Sequence, residues 1–194
     1  MDWKRILRIL AIASVIMLIA SMLSSCKRDT SKIIDWDECS QTIGDHPCDF
    51  TLIDQNGEEF NLYDHKGKIV ILDFSAMWCG PCMMAAKEIE DLQNKYNDDI
   101  IYVTILIENQ NYKPPTQANI KKWAYYFGIK SAPVLASSRE FLSTDPNIGW
   151  SVYSWPQFHI INKEMILETS FSGFRPGNIE SIILGMLSVD TGSP

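Results

Sequence analysis

The segment Asp73-Phe74-Ser75-Ala76-Met77-Trp78-Cys79-Gly80-Pro81-Cys82 places two cysteines, separated by Gly-Pro, between an apolar run and a stretch with helical spacing. The run Lys68–Ser75 is apolar except for Asp73, which predicts a buried strand. Between Cys82 and Tyr96 the apolar residues recur every three or four positions, which predicts a helix. Zinc would need a second pair of ligands at similar spacing, and the sequence contains none, so redox chemistry is favoured.

The two cysteines are expected to differ in reactivity. Cys79 would lie at the start of the helix, where unpaired N–H groups and the positive end of the dipole favour a thiolate. Pro81 is tolerated in a first helical turn because it needs no N–H partner there. We expect Cys79 to attack a substrate disulfide, and the more buried Cys82 to resolve the mixed disulfide. The alternative is a permanent disulfide that only staples the fold.

Asp73 interrupts a run that is otherwise apolar. Burial of a carboxylate raises its pKa, because the charged form loses its hydration. Such a group near Cys82 could take and return the proton of that thiol. The alternative is an aspartate at a strand edge that only bonds backbone groups.

Strands and helices alternate along the rest of the chain. This order predicts an α/β fold, in which helices cover the faces of a central sheet. The expected elements are a hairpin of Phe50–Asp54 and Glu59–Leu62 around Asn56-Gly57, a buried strand Ile100–Ile107, a helix Thr116–Phe127, a short strand Val134–Ala136, a hairpin of Gln157–Asn162 and Met165–Ser170, and a helix Ile179–Val189.

The N-terminal residues have the pattern of a targeting signal. Three basic residues, the last of them Arg8, precede the apolar run Ile9–Leu23. The run ends in Leu23-Ser24-Ser25-Cys26, which resembles the lipobox of bacterial lipoproteins. That resemblance implies a signal peptide over 1–25, a Cys26 that is lipidated and anchors the chain to a bilayer, and a tether over 26–43. The alternative is an uncleaved membrane-spanning helix with a chance cysteine after it.

The CGPC segment with its preceding aspartate resembles the active-site segment of thioredoxin. Asp49–Leu52 and Gly67-Lys68 are similar to the extracytoplasmic TlpA/ResA-like branch of that superfamily. The resemblance implies a thioredoxin-like domain over 44–190, with a central mixed sheet flanked by helices and an N-terminal β-hairpin. It also implies an enzyme that exchanges thiols and disulfides with proteins, and the Gly-Pro dipeptide resembles that of reducing members.

The same resemblance implies how the site is built. Its redox group would be the Cys79–Cys82 disulfide itself, with no other cofactor and no metal. A cis-proline would face the cysteines, and Pro156, before the strand Phe158–Ile161, is favoured over Pro133. Beyond the catalytic residues Cys79, Cys82, Asp73 and Pro156, the resemblance implies that substrate contacts are made by Trp78, Gly80, Pro81 and Trp155.

Several residues depart from the family pattern. Trp155 stands where the family usually has a small or β-branched residue. Two interpretations stay open: the substrate strand docks differently here, or Trp155 makes an aromatic contact with the substrate. Ser75 replaces a common tryptophan. Lys87 replaces a frequent proline, so the helix after the cysteines is expected to be straighter. Met83 and Met84 are expected to be ordinary packing or surface residues, with a contact to the substrate as the alternative.

Cys39 and Cys48 remain once Cys26, Cys79 and Cys82 are assigned. In an oxidising compartment they are expected to form a structural disulfide. An auxiliary redox pair is the first alternative. A soft metal site that includes His46 is the second.

Composition limits the range of functions. The chain has 194 residues, 46% of them hydrophobic, which is enough for one packed domain. Its net charge of −7 argues against nucleic-acid binding, which needs clustered cations. The resemblances to the thioredoxin superfamily and to bacterial lipoproteins imply the partners: disulfide-bearing proteins, a membrane electron donor and, through Cys26, the bilayer. The expected location is extracytoplasmic, on the periplasmic side of the inner or outer membrane.

Two other functions of this fold stay open. A copper-binding, metallochaperone-like module would typically use C-x-x-x-C, whereas this chain has C-x-x-C. A thiol peroxidase would resemble Pro-x-x-x-Thr-x-x-Cys around its nucleophile, and that threonine is missing ahead of Cys79.

Overall fold

The structure, a computed structural model, describes residue 3 and residues 39–190. The predicted signal peptide over 1–25 (apart from residue 3), the lipidated Cys26 and the first part of the tether, 26–38, lie outside the described residues. Among the described residues, no helix has both the length and the apolar character needed to cross a bilayer.

A mixed five-stranded sheet forms the centre of the domain, with the strand order β5-β4-β3-β6-β7. Strands β3 and β4 run parallel, as do β4 and β5, whereas β6 pairs antiparallel with both β3 and β7. The strands are β3 (Ile69–Ala76), β4 (Ile100–Glu108), β5 (Val134–Ala136), β6 (Gln157–Ile161) and β7 (Leu167–Ser172). The predicted α/β architecture is therefore confirmed.

The N-terminal hairpin consists of β1 (Thr51–Ile53) and β2 (Glu59–Asn61), which pair antiparallel as a separate two-stranded sheet. Its turn needs Gly57, because this residue has φ +92°, a conformation that side chains with a Cβ rarely adopt. The sequence predicted this hairpin and its Asn-Gly turn correctly.

Four α-helices lie within residues 39–190: α1 (Gly80–Ala85), α2 (Ile89–Lys95), α3 (Gln117–Phe127) and α4 (Asn178–Asp190). Two short 3₁₀ helices, Leu62–His65 and Arg139–Phe141, are also present. Thr116 and Asn119 form a reciprocal capping box at the start of α3, and Gly128 ends it in the left-handed conformation with φ +70°. Both signals are local, so the sequence could predict this helix.

The prediction of one helix over 82–96, made straighter by Lys87, is wrong. Between α1 and α2 the hydrogen bonds shorten to three-residue steps, from the Lys87 N–H to the Met84 carbonyl and from the Glu88 N–H to the Ala85 carbonyl. An apolar spacing of three or four residues is compatible with both α-helical and tighter turns, so the pattern could not reveal this break.

Strands β3 and β4 are buried along their whole length, which shows that both faces of the sheet are covered there. On one face Ile71 belongs to the same core cluster as Cys82 and Ile89. Side chains alternate along a strand, so Asp73 and Ser75 share this face with Ile71. The core of the other face includes contacting rings from Phe50, Phe74, Phe141, Trp150 and His159.

Candidate active site

Cys79 is the residue that caps α1. Its Sγ accepts a hydrogen bond from the Cys82 N–H at 3.1 Å, and the two cysteines form a disulfide with their Cα atoms 5.3 Å apart. The chain reaches this geometry because β3 ends at Ala76 and the helix starts at Gly80. Pro81, in the first turn, needs no N–H partner there. The two sulfurs therefore sit side by side at the strand-to-helix junction.

The two cysteines differ in exposure. Cys79 is 4% exposed and Cys82 is completely buried. Gly80 and Pro81 between them are exposed. Of the two cysteines, only Cys79 has any solvent-exposed surface, so we expect a reagent to meet Cys79 first. Because α1 has only six residues, the N–H groups of its first turn rather than a long dipole would stabilise a thiolate there.

Asp73 is buried on the face of β3 that packs against Cys82, and burial raises its pKa from 3.8 to about 7. The Ser75 hydroxyl donates to Asp73 Oδ1 at 2.6 Å, and hydrogen bonds from Ser75 and Tyr102 oppose the rise by favouring the charged form. Asp73 Oδ2 has no hydrogen-bond partner among the described residues. This carboxyl can therefore change its protonation state near neutral pH.

Two hydroxyl groups on β4 extend this buried polar group. Thr104 is the register partner of Asp73, and its Oγ1 also lacks a hydrogen-bond partner within the described part of the chain. Tyr102, two residues before Thr104 on β4, lies on the same face of the sheet. Burial together with the Asp73 charge raises the pKa of Tyr102 well above 10.0. Tyr102 therefore stays a neutral hydroxyl in the working pH range. The sequence analysis did not identify either hydroxyl, because their closeness to Asp73 depends on the strand register.

Glu108, at the end of β4, holds the segment in front of the cysteines. Its carboxylate accepts hydrogen bonds from Trp78 Nε1 at 2.9 Å and from the Arg139 guanidinium, and its carbonyl accepts from the Met77 N–H at 2.9 Å. Burial alone would raise the pKa of Glu108, but the bonds from Arg139 and Trp78 outweigh it and hold the pKa below its ordinary value. Glu108 is thus an ionised carboxylate beneath the tryptophan next to Cys79.

Sequence reasoning missed Glu108 and Arg139. The one available signal was that Glu108 ends a strand that is otherwise almost entirely apolar, as Asp73 interrupts one. Arg139 offered no signal, because it begins a 3₁₀ helix of only three residues after β5, Arg139–Phe141. Trp78, which was predicted to contact substrate, is half-buried and packs against the exposed ring of Tyr112 at a centroid distance of 5.1 Å.

Pro156 immediately precedes β6, and the Trp155–Pro156 peptide bond is cis. In the antiparallel register Gln157 is opposite Phe74, so Pro156 lies at the end of the sheet where β3 leads into the cysteines. Trp155 is half-buried and packs against the core cluster that contains both cysteines. The structure thus brings Pro156 and Trp155 to the same end of the sheet as the CGPC segment.

Cys39 and Cys48 form a second disulfide, with their Cα atoms 4.8 Å apart. Cys39 borders a polar surface depression that His46 also lines and that no residue of the CGPC segment reaches. Among the described residues, no three His, Cys, Asp or Glu side chains are grouped as metal ligands. The structure therefore places this pair outside the site at Cys79.

Residues 39–43, which the sequence analysis assigned to the tether, contact the domain. The Gln41 N–H donates to the Pro146 carbonyl at 2.8 Å, and Gln41 is buried. The Gly44 N–H donates to the Leu167 carbonyl at 2.8 Å. The described end of the assigned tether is thus packed on the folded domain.

Comparisons with known proteins show which family the chain resembles. The model of the AhpC/TSA family matches residues 43–170. The thioredoxin-like protein YneN of Bacillus subtilis is 27% identical over 125 residues, which cover 64% of this chain and 68% of YneN. The thiol-disulfide oxidoreductase ResA of Bacillus anthracis is 24% identical over 128 residues, which cover 66% of this chain and 68% of ResA.

Solved structures share the fold. The exposed lipoprotein thioredoxin Etrx1 of Streptococcus pneumoniae is 28% identical with a TM-score of 0.59, and the match covers 71% of this chain and 99% of Etrx1. A protein described as thiol:disulfide interchange protein DsbE from Chlorobium tepidum has a TM-score of 0.61 at 24% identity, covering 77% of this chain and 98% of that protein. This second likeness shows the thioredoxin-like fold.

Proposed function

The chain belongs to the AhpC/TSA family and is a thiol–disulfide oxidoreductase of the ResA/DsbE type, and we propose that it reduces protein disulfides through Cys79 and Cys82. The observation that carries the proposal is the arrangement of the two sulfurs. The Cys79 sulfur accepts the Cys82 N–H at the start of a helix, while Cys82 is buried behind it.

The reduced protein would start the reaction. The Cys79 thiolate attacks one sulfur of the substrate disulfide, a Cys79–substrate S–S bond forms, and the substrate bond breaks to release one thiolate. Cys82 then loses its proton and attacks Cys79 Sγ, which forms the Cys79–Cys82 disulfide and releases the second substrate thiolate. Two electrons pass from the dithiol to the substrate, and protons from the medium complete the two substrate thiols.

Asp73 is proposed as the group that takes the Cys82 proton. Its pKa of about 7 suits this task, because a base with a pKa near the working pH can both accept and return a proton. Its buried, unpartnered Oδ2 supports this role, since the oxygen is free to accept a proton on the face that packs against Cys82. Pro156 and Trp155, at the same end of the sheet, are proposed as substrate contacts together with Trp78, Gly80 and Pro81.

The enzyme is also proposed to work outside the cytoplasm. The name of Etrx1, an exposed lipoprotein thioredoxin, supports this location. We also propose that 1–25 is a signal peptide, that a lipidated Cys26 anchors the chain and that a membrane donor re-reduces Cys79–Cys82. The tether would end before residue 39, because residues 39–43 pack on the domain. Incorporation of labelled palmitate into the full chain tests the anchor, and incorporation that persists in Cys26→Ser would refute it.

A trapping experiment tests the reaction. A Cys82→Ser variant of the full chain, reduced and then mixed with an oxidised disulfide peptide, should accumulate a mixed disulfide at Cys79, detected by mass spectrometry. The matched control is Cys79→Ser, which should form no such adduct because Cys82 is buried. The proposed mechanism is wrong if Cys82→Ser forms no adduct, or if the wild type consumes peroxide and leaves the peptide disulfide intact.

A further inference from the structure

An open groove of about 290 Å³ lies beside the cysteine pair. One of its lining residues, Met77, belongs to the active-site segment and directly precedes Trp78, and another, Met83, directly follows Cys82. The other lining residues are Gln110 on the loop after β4 and Lys122, Trp123, Tyr126 and Phe127 on α3. The groove is therefore continuous with the segment that carries the reactive sulfur.

Helix α3 turns only one of its sides to this groove. Lys122, Trp123, Tyr126 and Phe127 are spaced so that they share one side of the helix. Lys121, Ala124 and Tyr125 lie on another side, where they line a separate depression. Neighbouring residues of the same type, Lys121 with Lys122 and Tyr125 with Tyr126, thus belong to different surfaces.

The walls of the groove are apolar and adaptable. Trp123 is 3% exposed and Met77 4% exposed, so they are deeply placed, whereas Tyr126 is 75% exposed. The Phe127 ring packs between those of Trp123 and Tyr126, at centroid distances of 4.5 Å and 4.9 Å. Methionine side chains adjust to different apolar partners because they are unbranched and polarizable. The groove thus has a buried apolar floor and one exposed aromatic wall, Tyr126.

One cation completes the rim. Lys122 is exposed and forms no ion pair with any residue in the described range 39–190. The amide of Gln110, on the same rim, donates to the Met77 carbonyl at 3.2 Å, so it is already engaged. The groove therefore combines an apolar interior with one free positive charge.

We propose that this groove binds an apolar side chain of the substrate polypeptide, within a few residues of the disulfide that Cys79 attacks, and that Lys122 pairs with an acidic residue next to that side chain. The proposal rests on the proposed function and adds a substrate preference to it. The volume of about 290 Å³ lies at the lower end of the ~300–1,000 Å³ of typical small-molecule sites and is large enough for one amino-acid side chain. Continuity with the CGPC segment favours the substrate as occupant over a second copy of the chain.

Matched peptides test this preference. Each peptide carries one disulfide and is identical to its partner except for a Leu-Glu pair replaced by Ser-Gln, placed at successive positions on either side of the disulfide. The measurement is kcat/KM for reduction by the reduced full chain. At one or more positions the Leu-Glu peptide should be reduced about tenfold faster, since burial of one apolar side chain is worth roughly a factor of ten or more.

Variants on α3 locate the preference. Tyr126→Ala should lower the preference for the Leu-Glu peptide roughly threefold or more, because it removes a wall of the groove. Lys122→Gln should abolish the part of the preference that comes from the ion pair with Glu, which is the part that wild type loses when salt is added. The controls Tyr125→Ala and Lys121→Gln remove the same groups from the other side of the helix and should keep the wild-type preference.

The outcomes separate the two proposals. If the wild type reduces none of the peptides, the proposed function fails. If it reduces all of them at equal rates, or if Tyr125→Ala changes the preference as much as Tyr126→Ala, the groove proposal alone fails. A Tyr126→Ala variant that changes only the sedimentation of the protein would show that a second copy occupies the groove, which also overturns the proposal.

Discussion

Replacing Asp73 with Asn is expected to change how the stability of the oxidised protein depends on pH. Burial raises the pKa of Asp73 from 3.8 to about 7 in the folded protein, against the opposing hydrogen bonds from Ser75 and Tyr102. At roughly 1.36 kcal/mol per pH unit, the difference corresponds to about 4 kcal/mol of unfolding free energy. This is a large part of the ~5–15 kcal/mol that a typical domain has.

The sign of the effect follows from proton binding. Below about pH 4 the carboxyl is protonated in both the folded and the unfolded chain, so it has no effect on stability. Between about pH 4 and pH 7 the unfolded chain ionises first, so the free energy of unfolding falls as pH rises. Above about pH 7 both forms are ionised, and the full loss of about 4 kcal/mol persists. Asn cannot ionise, so the variant should not show this loss.

Equilibrium unfolding in guanidinium chloride measures the effect, with both disulfides kept oxidised. The stability of Asp73→Asn relative to wild type should rise by about 4 kcal/mol between about pH 4 and pH 8. Asp98→Asn, at an exposed position, is the control and should show no such rise. A constant difference between Asp73→Asn and wild type across this range would refute the claim that burial holds Asp73 protonated.

Three further predictions follow from other contacts. Burial lowers the pKa of His159 to about 4, so about 3 kcal/mol of unfolding free energy that is present above about pH 6.5 should be lost as pH falls through 4. His159→Gln should lack this loss in acid unfolding curves. A loss in the variant equal to that of wild type would contradict the prediction. Arg139→Gln leaves the buried Glu108 carboxylate without its cation, and the unpaired negative charge should disfavour the Cys79 thiolate. Iodoacetamide should therefore alkylate the reduced Cys79 several-fold more slowly at neutral pH, whereas Arg139→Lys should retain most of the rate. Equal rates for wild type and both variants would exclude an electrostatic effect of Arg139 on Cys79. Loss of the Cys39–Cys48 disulfide in a double Ser variant should lower the unfolding free energy by about 2–3 kcal/mol, because the disulfide closes a short loop; an unchanged denaturation midpoint would argue against a structural role.

Local sequence patterns predicted most of the fold. The buried strands β3 and β4, the Asn-Gly hairpin and the capped helix α3 each depend on residues close together in the chain, so their signals could be recognised without knowledge of the fold. The break between α1 and α2 could not be predicted. Three-residue and four-residue apolar spacings occur in both continuous and interrupted helices.

The candidate site likewise contains some residues that the sequence could identify and others that it could not. The CGPC segment and the buried Asp73 were recognisable, because a cysteine pair at a helix start and a carboxylate in an apolar strand are local anomalies. Glu108 could not be connected to Trp78, which lies 30 residues earlier. That contact exists because the parallel register of β3 and β4 places Glu108 opposite Ala76, two residues before Trp78.

The amino-acid sequence alone thus predicted the class of the fold and the class of the activity, thiol–disulfide exchange. Both predictions depended on a local feature, two cysteines at a predicted strand-to-helix junction. Only the tertiary structure decided which side chains surround those thiols: the Arg139–Glu108 pair under Trp78, the hydroxyls of Tyr102 and Thr104 beside Asp73, and the groove on α3. The physical reason is that such neighbours are set by strand register and helix packing, which join residues far apart in the chain and leave no periodic signal in the sequence.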